Sequence, residues 1–255
     1  MLLGLDHIVI AVNDLAAATD DYRRLGFTVV PGGRHPVGTY NGLIAFADGS
    51  YIELISFYRD NPDHRWWDAL KQGEGLIDFC MRTDDLGGDT EKFRQAGVDM
   101  DDPVPWSRTR PDGYELKWRL SLARGRHRGV APFLIEDVTP REERVPRDVE
   151  HPNGASGIAA VLVAVDDLPV VKLWYEAVLG SAAKKAEESE MKAEGVFFSI
   201  GSQRLELLTP AGAGSPIAAR LLERGPSPFA ATLRGNKKTP RMDLKLTHGA
   251  ALWFV

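Results

Sequence analysis

The chain of 255 residues has a single cysteine, Cys80, so no disulfide can close within it, which fits a reducing compartment. Cys80 lies in the apolar run "GLIDFCMRT" with no histidine beside it to lower its pKa, and it reads as buried filler rather than a reactive thiol. Long apolar runs are missing as well. No stretch approaches the roughly 18 residues of a membrane span. The opening "MLLGLDHIVIAV" has no basic flank and is broken by Asp6 and His7, so it does not read as a signal peptide. Nor is there a basic surplus: 31 Lys and Arg stand against 36 Asp and Glu, for a formal charge of −5. The one basic knot, "RGRHRG" at 124–129, reads either as a solvated turn or as a contact for an anionic group. These absences argue against nucleic acid and membrane as partners and leave a small molecule. The expected location is the cytoplasm, and a homodimer is an open alternative to a monomer.

What is present is a repeat. In "LDHIVIAVNDLAAATDDYRRLGFTVV", Ile8, Ile10 and Val12 alternate with Val9 and Ala11 as in a strand buried on both faces. Asn13 or Asp14 can cap a helix that carries Leu15, Ala18, Tyr22 and Leu25 at helical spacing, and Gly26 stops it. A second strand closes that stretch. "GLIAFAD" and "SYIELISF" follow as strands joined around Asp48-Gly49, completing a βαβββ unit. The same grammar returns from residue 157. Setting "VNDL" at 12–15 on "VDDL" at 165–168 gives an offset of 153, which carries Glu53 onto Glu206 without a gap and His7 onto Ala160. A weaker copy runs from "GLIDFCMRTDDLGGDTEKFRQAGV" through the strands "YELKWRLSLA" and "APFLIEDV". After residue 228, "FAATLR" and a hairpin in "MDLKLTHGAALWFV" supply strands with no helix between them, so the fourth unit is degenerate. "TPREERVPRDVEHPNGAS" combines three prolines with mixed charge and no apolar period. The expected division is therefore a first domain over 1–146, a linker over 147–153 and a second half over 154–255.

Tandem βαβββ units opened by "LDHIVIAVNDL" and closed by "YIELISF" resemble the vicinal oxygen chelate superfamily of glyoxalases and extradiol dioxygenases. Within it the chain is similar to glyoxalase-like domain proteins with a "GG-x-H…GT-x-N…Y-x-E-L" stretch, here Gly32-Gly33, His35, Gly38-Thr39, Asn41 and Tyr51-Ile52-Glu53-Leu54. "RTRPDGYELKWRL" from 108 and "EHPNG" from 150 also look like that group. The resemblance implies an α+β fold whose tandem βαβββ modules pair as rolled mixed sheets around a cleft. It also implies a divalent metal, Mn, Fe, Ni, Co or Zn, held by the first and last strands of each unit, with no organic cofactor. Carried over by position, the metal set is His7, Glu53, Asp78 and Glu136. Asp78 stands five residues before Thr83 as His7 stands before Val12, and Glu136 follows from setting Thr139-Pro140 against Thr209-Pro210. The lack of thiolate ligands argues against a closed structural zinc site.

Each assignment has a plainer alternative: a structural histidine for His7, polar-face strand residues for Asp78 and Glu136. Glu53 on an apolar strand is the sharpest case, because burying a carboxylate without a partner costs several kcal/mol that a metal would offset. His35, Thr39 and Asn41 are candidates to contact a substrate oxygen, or members of a turn. Arg119 is a candidate to bind a carboxylate bidentately, or a surface ion pair. His151 either reaches the cleft from the linker or holds the halves together. Two functions fit. One is a metal-dependent lyase or isomerase on a small substrate with adjacent oxygens, in which the metal stabilises an enolate while Glu136 or Glu53 moves the proton; a dioxygenase is a weaker variant. The other is a metal-free binding or sequestration protein, favoured by Asp78 where relatives place a second histidine and by Ala160 in the second half.

Overall fold

The computed structural model describes residues 1–147, 149–236 and 241–255. In chain order the first half runs β1 (Leu2–Ala11), α1 (Leu15–Arg24), β2 (Val30–Arg34), β3 (Thr39–Ala45), β4 (Tyr51–Phe57), α2 (Trp67–Lys71), β5 (Gly75–Thr83), α3 (Leu86–Gln95), β6 (Val104–Thr109), β7 (Glu115–Ser121), β8 (Phe133–Asp137) and α4 (Arg141–Arg144). The second half runs β9 (Gly157–Ala164), α5 (Leu168–Leu179), β10 (Lys184–Glu188), β11 (Ala193–Ile200), β12 (Gln203–Pro210), α6 (Pro216–Arg224), β13 (Ser227–Arg234) and β14 (Ala251–Phe254). The repeated aspartate starts the three long repeat helices. Asp14, Asp85 and Asp167 are the N-caps of α1, α3 and α5, each accepting from backbone N–H groups of the first turn.

The first eight strands close into a barrel in the order β1-β4-β3-β2-β6-β7-β8-β5. Its two units are related by their registers. β1 runs antiparallel to β5 with His7 opposite Cys80; β4 lies parallel to β1 with Tyr51 beside His7, and β8 lies parallel to β5 with Phe133 beside Cys80. Alternation then divides each strand: Ile8, Ile10 and Val12 pack outward in a cluster with α1 residues, while Val9 and Ala11 pack inward with Ile55, Cys80, Trp118 and Phe133. His7 shares the inward face.

The second half forms an open sheet, β10-β11-β12-β9-β13-β14. Glu206 lies beside Leu162 as Glu53 lies beside Val9, so the repeat is in register at the level of hydrogen-bonded partners. The fourth unit is a remnant of two strands. β14 lies parallel to β13 in the place β8 takes beside β5, and among the described residues no strands correspond to β6 and β7, so the sheet stays open there. The hairpin expected in "MDLKLTHGAALWFV" does not form: Leu244–Gly249 is a run of turns, and β14 pairs with β13 instead. The proposed linker over 147–153 falls between the sheets, with residue 148 outside the described residues. Among the described residues no helix is long and apolar enough to cross a membrane.

Candidate functional site

Two residues of the first half face each other across adjacent parallel strands. His7 on β1 and Glu53 on β4 place Nε2 and Oε2 3.5 Å apart, with both side chains nearly inaccessible to solvent. The other ring nitrogen of His7 is fixed, because Nδ1 lies 2.7 Å from Asp6 Oδ1. Asp6 is anionic: burial pushes its carboxyl up, but Arg144 and Arg141 beside it, with His7, outweigh burial and hold it well below the carboxylate range. Arg144 grips Asp6 with both terminal nitrogens at 3.0 Å and also donates to Asp137 and to the Tyr51 hydroxyl. With Nδ1 held by Asp6, the His7 ring turns Nε2 toward Glu53, leaving that nitrogen as the one a metal would use. Tyr51 stacks on the His7 ring at 4.4 Å and Phe133 meets it edge-on at 5.3 Å.

His7 and Glu53 line a cavity of about 50 Å³ inside the barrel, room for a few waters or a small head group. Three tryptophans, Trp66, Trp106 and Trp118, supply much of its wall, with His35, His64, Arg65 and Arg108 among them. Asn41 donates to Glu53 Oε1 at 2.5 Å, and His35 Nδ1 meets Thr39 Oγ1 at 2.9 Å. Burial lowers His35 to about 4, partly opposed by Glu53; His64 also falls to about 4, through burial and the neighbouring Arg65. Both rings are therefore neutral at pH 7. The paired glycines of the loop motif have a packing role here: a Cβ on Gly32 would lie 2.0 Å from Asn41 Oδ1, and one on Gly33, at φ +142°, would lie 2.1 Å from Thr109 O.

Five of the residues singled out from sequence, His7, His35, Thr39, Asn41 and Glu53, thus share one cavity wall. Four others do not. Asp78 lies behind the wall, where Oδ2 accepts from Arg65 Nη2 at 2.7 Å and from Trp66 Nε1 at 2.8 Å while Oδ1 accepts from its neighbour's N–H. It positions two lining residues, and each of its oxygens already accepts a hydrogen bond. Glu136 points out of the barrel, since its neighbour Ile135 points in; its carboxylate is shared between Arg119 Nη1 at 3.1 Å and Leu86 N at 3.3 Å. Arg119 is the other half of that surface pair and does not reach the cavity. His151 is a staple: Nδ1 accepts from Thr28 N at 3.0 Å, so Nε2 donates to Ala45 O at 2.9 Å, both partners belonging to the first half.

The barrel's internal symmetry gives the physical reason for two of these corrections. The positions that match His7 and Glu53 in the second unit are Cys80 and Ile135. Counting back from the helix cap overshoots by two residues, because β1 and β5 pair through bulges and the path from His7 to the Asp14 cap is longer than that from Cys80 to Asp85. Counting from Thr139 errs by one, which flips the face. Burial pushes the Cys80 thiol well above its ordinary value. Asp6, His7 and Cys80 offer ligand atoms within 4.8 Å of one another, although both Asp6 oxygens are taken by arginines and His7. The donor set that fits a divalent ion is therefore His7 Nε2 and Glu53, with Cys80 adjacent.

The sequence reading passed over Asp6, His64, Arg65, Trp106, Arg108, Trp118 and Arg144 as functional residues. A signal was present for some of them: in "ELKWRLS" the inward set is Leu116, Trp118 and Leu120, which sends Arg119 outward, and Asp6 immediately precedes His7. The basic run at 124–129 exposes its three arginines around a buried His127.

Residues 5–179 match the family model described as a glyoxalase-like domain, and the chain belongs to that family, within the vicinal oxygen chelate fold. A hypothetical protein from Staphylococcus aureus superposes with a TM-score of 0.70 at 14% identity, covering 98% of both chains. A mutant of 4-hydroxymandelate synthase from Streptomyces coelicolor gives 0.66 at 15% identity over 93% of this chain and 72% of its own. A xylose isomerase-like TIM barrel/4-hydroxyphenylpyruvate dioxygenase fusion protein gives 0.58 at 15% identity over 93% of this chain and 37% of its own. At such identities these likenesses establish the fold alone. No curated protein sequence matches this one.

Proposed function

We propose that the protein is a metal-dependent lyase or isomerase acting on a small substrate with adjacent oxygens inside the first-half barrel. Membership of the glyoxalase-like family fits a metal-dependent enzyme. The observation that carries the reading is the buried His7–Glu53 pair, with Nε2 and Oε2 3.5 Å apart, lining the barrel cavity while Asp6 holds the His7 ring through Nδ1. His7 and Glu53 would hold the ion. A divalent ion bound there supplies Lewis acidity to a substrate oxygen. Asn41 orients Glu53, and Arg144 with Arg141 keeps Asp6 charged, so that it holds the His7 ring through Nδ1 and turns Nε2 toward Glu53. His35 is the residue placed to move a proton, since it is neutral at pH 7 and Thr39 occupies its Nδ1, leaving Nε2. The tryptophan wall keeps bulk water out.

A second reading is favoured by Cys80 and Ile135 standing where the second unit would supply further ligands: a binding protein without turnover. The two separate by exchange of the carbon-bound hydrogens of hydroxyacetone with D2O, followed by NMR in the presence of Mn²⁺ removed before detection. The enzyme reading expects exchange that is lost with EDTA and in His35→Gln; binding without exchange across a panel of such ketones favours the second.

A further inference from the structure

Among the described residues two arginines are fully buried, Arg108 and Arg144. Arg144 is saturated by two carboxylates and a phenol. Arg108 has no carboxylate at all. Its Nη1 donates to Asn41 Oδ1 at a long 3.4 Å, its Nη2 to the Arg144 carbonyl at 3.1 Å, and its Nε has no partner. The Trp118 indole Nε1, on a side chain 5% exposed, is likewise without a partner. These two donors belong together. β6 and β7 pair Trp106 with Trp118 and Arg108 with Leu116, so Arg108 and Trp118 are diagonal neighbours, and both line the cavity. His35 stands edge-on to Trp118 with ring centres 6.1 Å apart. Burial works against the Arg108 charge, with Tyr51 and Glu53 as its opposing influences. Glu53 itself is engaged by Asn41 and faces His7.

A buried guanidinium Nε and an indole N–H that no protein acceptor meets, on two residues lining the cavity, call for an acceptor brought by the ligand. We propose that the ligand carries a carboxylate, received by Arg108 and Trp118 Nε1 on the β6–β7 wall, with its small apolar body against Trp66 and Phe133. This rests on the reading of the barrel cavity as the substrate site. A planar carboxylate, with two oxygens to offer two N–H donors on diagonal neighbours, suits a cavity of about 50 Å³ better than a tetrahedral phosphate does. Gly32 keeps the space in which Arg108 and Asn41 lie, since a Cβ there would also come within 3.0 Å of Arg108 Nη1.

The test is calorimetric titration of the full chain, with Mn²⁺ present, using isobutyrate, its neutral isostere isobutyramide, and inorganic phosphate. Wild type should bind isobutyrate at least about tenfold more tightly than the amide. Arg108→Met should bring the two within about twofold, and Trp118→Phe, which removes only the N–H from a similar ring, should weaken isobutyrate while leaving the amide unchanged. The Mn²⁺ affinity of Trp118→Phe, titrated separately, should equal that of wild type. Equal binding of acid and amide by wild type, tighter binding of phosphate, or no binding of any of the three overturns the carboxylate assignment and leaves the metal reading standing. Loss of Mn²⁺ binding from wild type with the acid preference intact does the reverse. Should Arg108→Met fail to fold, an acid preference in Trp118→Phe as large as in wild type overturns the proposal.

Discussion

His7 depends on the residue before it. Asp6 holds the ring through Nδ1 and so orients Nε2, and two arginines keep Asp6 ionised. Asp6→Asn should therefore weaken divalent-metal affinity by about 10–100-fold without removing a ligand, read by competition with a metal-sensitive dye. His35 gives a second prediction at this scale. Its folded pKa, about 4, lies below its ordinary 6.5, so the unfolded chain binds the extra proton between those values. The stabilisation is complete above pH 6.5 and is lost as pH falls through about 4; His35→Gln should flatten the decline of Tm over that window. At the residue scale the sequence made His7 and Glu53 legible, because a charged group on an apolar strand needs a reason. It left Arg108 illegible. In "WSRTR" nothing marks Arg108, paired inside β6, as buried and Arg110, just past the strand's end at Thr109 and held by Asp112 and Glu143, as half-buried, and an arginine is ordinarily a surface residue.

At the scale of elements, the repeats were legible through helix caps and alternation, while the fate of each sheet was not. The face that forms the barrel cavity in the first half is filled in the second. Ala160, Leu162 and Ala164, the counterparts of His7, Val9 and Ala11, pack in one apolar cluster with Ile217 of α6. The segment before β5, which in the first half is the short α2, is in the second half the nine-residue α6. Glu206 is left near that filled face without a histidine. Burial, reinforced by Glu188, raises its pKa, with Arg204 opposing. A raised carboxyl pKa means that stability is full below the ordinary value and declines as pH rises through the folded one. Glu206→Gln should therefore stabilise the protein at pH 7 by roughly 2–4 °C in Tm, the shift that about 1 kcal/mol gives in a chain of this size, and the gain should vanish near pH 4. A lower Tm at pH 7 would show that Glu206 has a favourable partner.

The whole molecule is held by a core that ignores the division at 147–153. One cluster of buried side chains runs from Leu5 and Phe27 through Phe93 and Tyr175 to Phe254. Hydrogen bonds cross the same boundary, from Tyr22 to Thr247 O at 3.1 Å, from Tyr175 to Val130 O at 2.7 Å, and from Leu5 N to Gln203 Oε1 at 2.7 Å. A chain nicked in that segment should elute as one species in gel filtration, whereas residues 1–146 made alone should expose this core and aggregate. Proline and charge density suggested a linker; only tertiary contacts could reveal that it joins two parts of one core. The second half packs against the first without repeating its buried His7–Glu53 pair, so Glu53 and Glu206, at one repeat position in two surroundings, allow the proposed site to be tested against scaffold. The direct measurement is a Mn²⁺ titration of wild type, Glu53→Gln and Glu206→Gln. Wild-type affinity in Glu206→Gln with a fall of at least about a hundredfold in Glu53→Gln is the result a metal held by His7 and Glu53 requires; equal affinity in all three would contradict it.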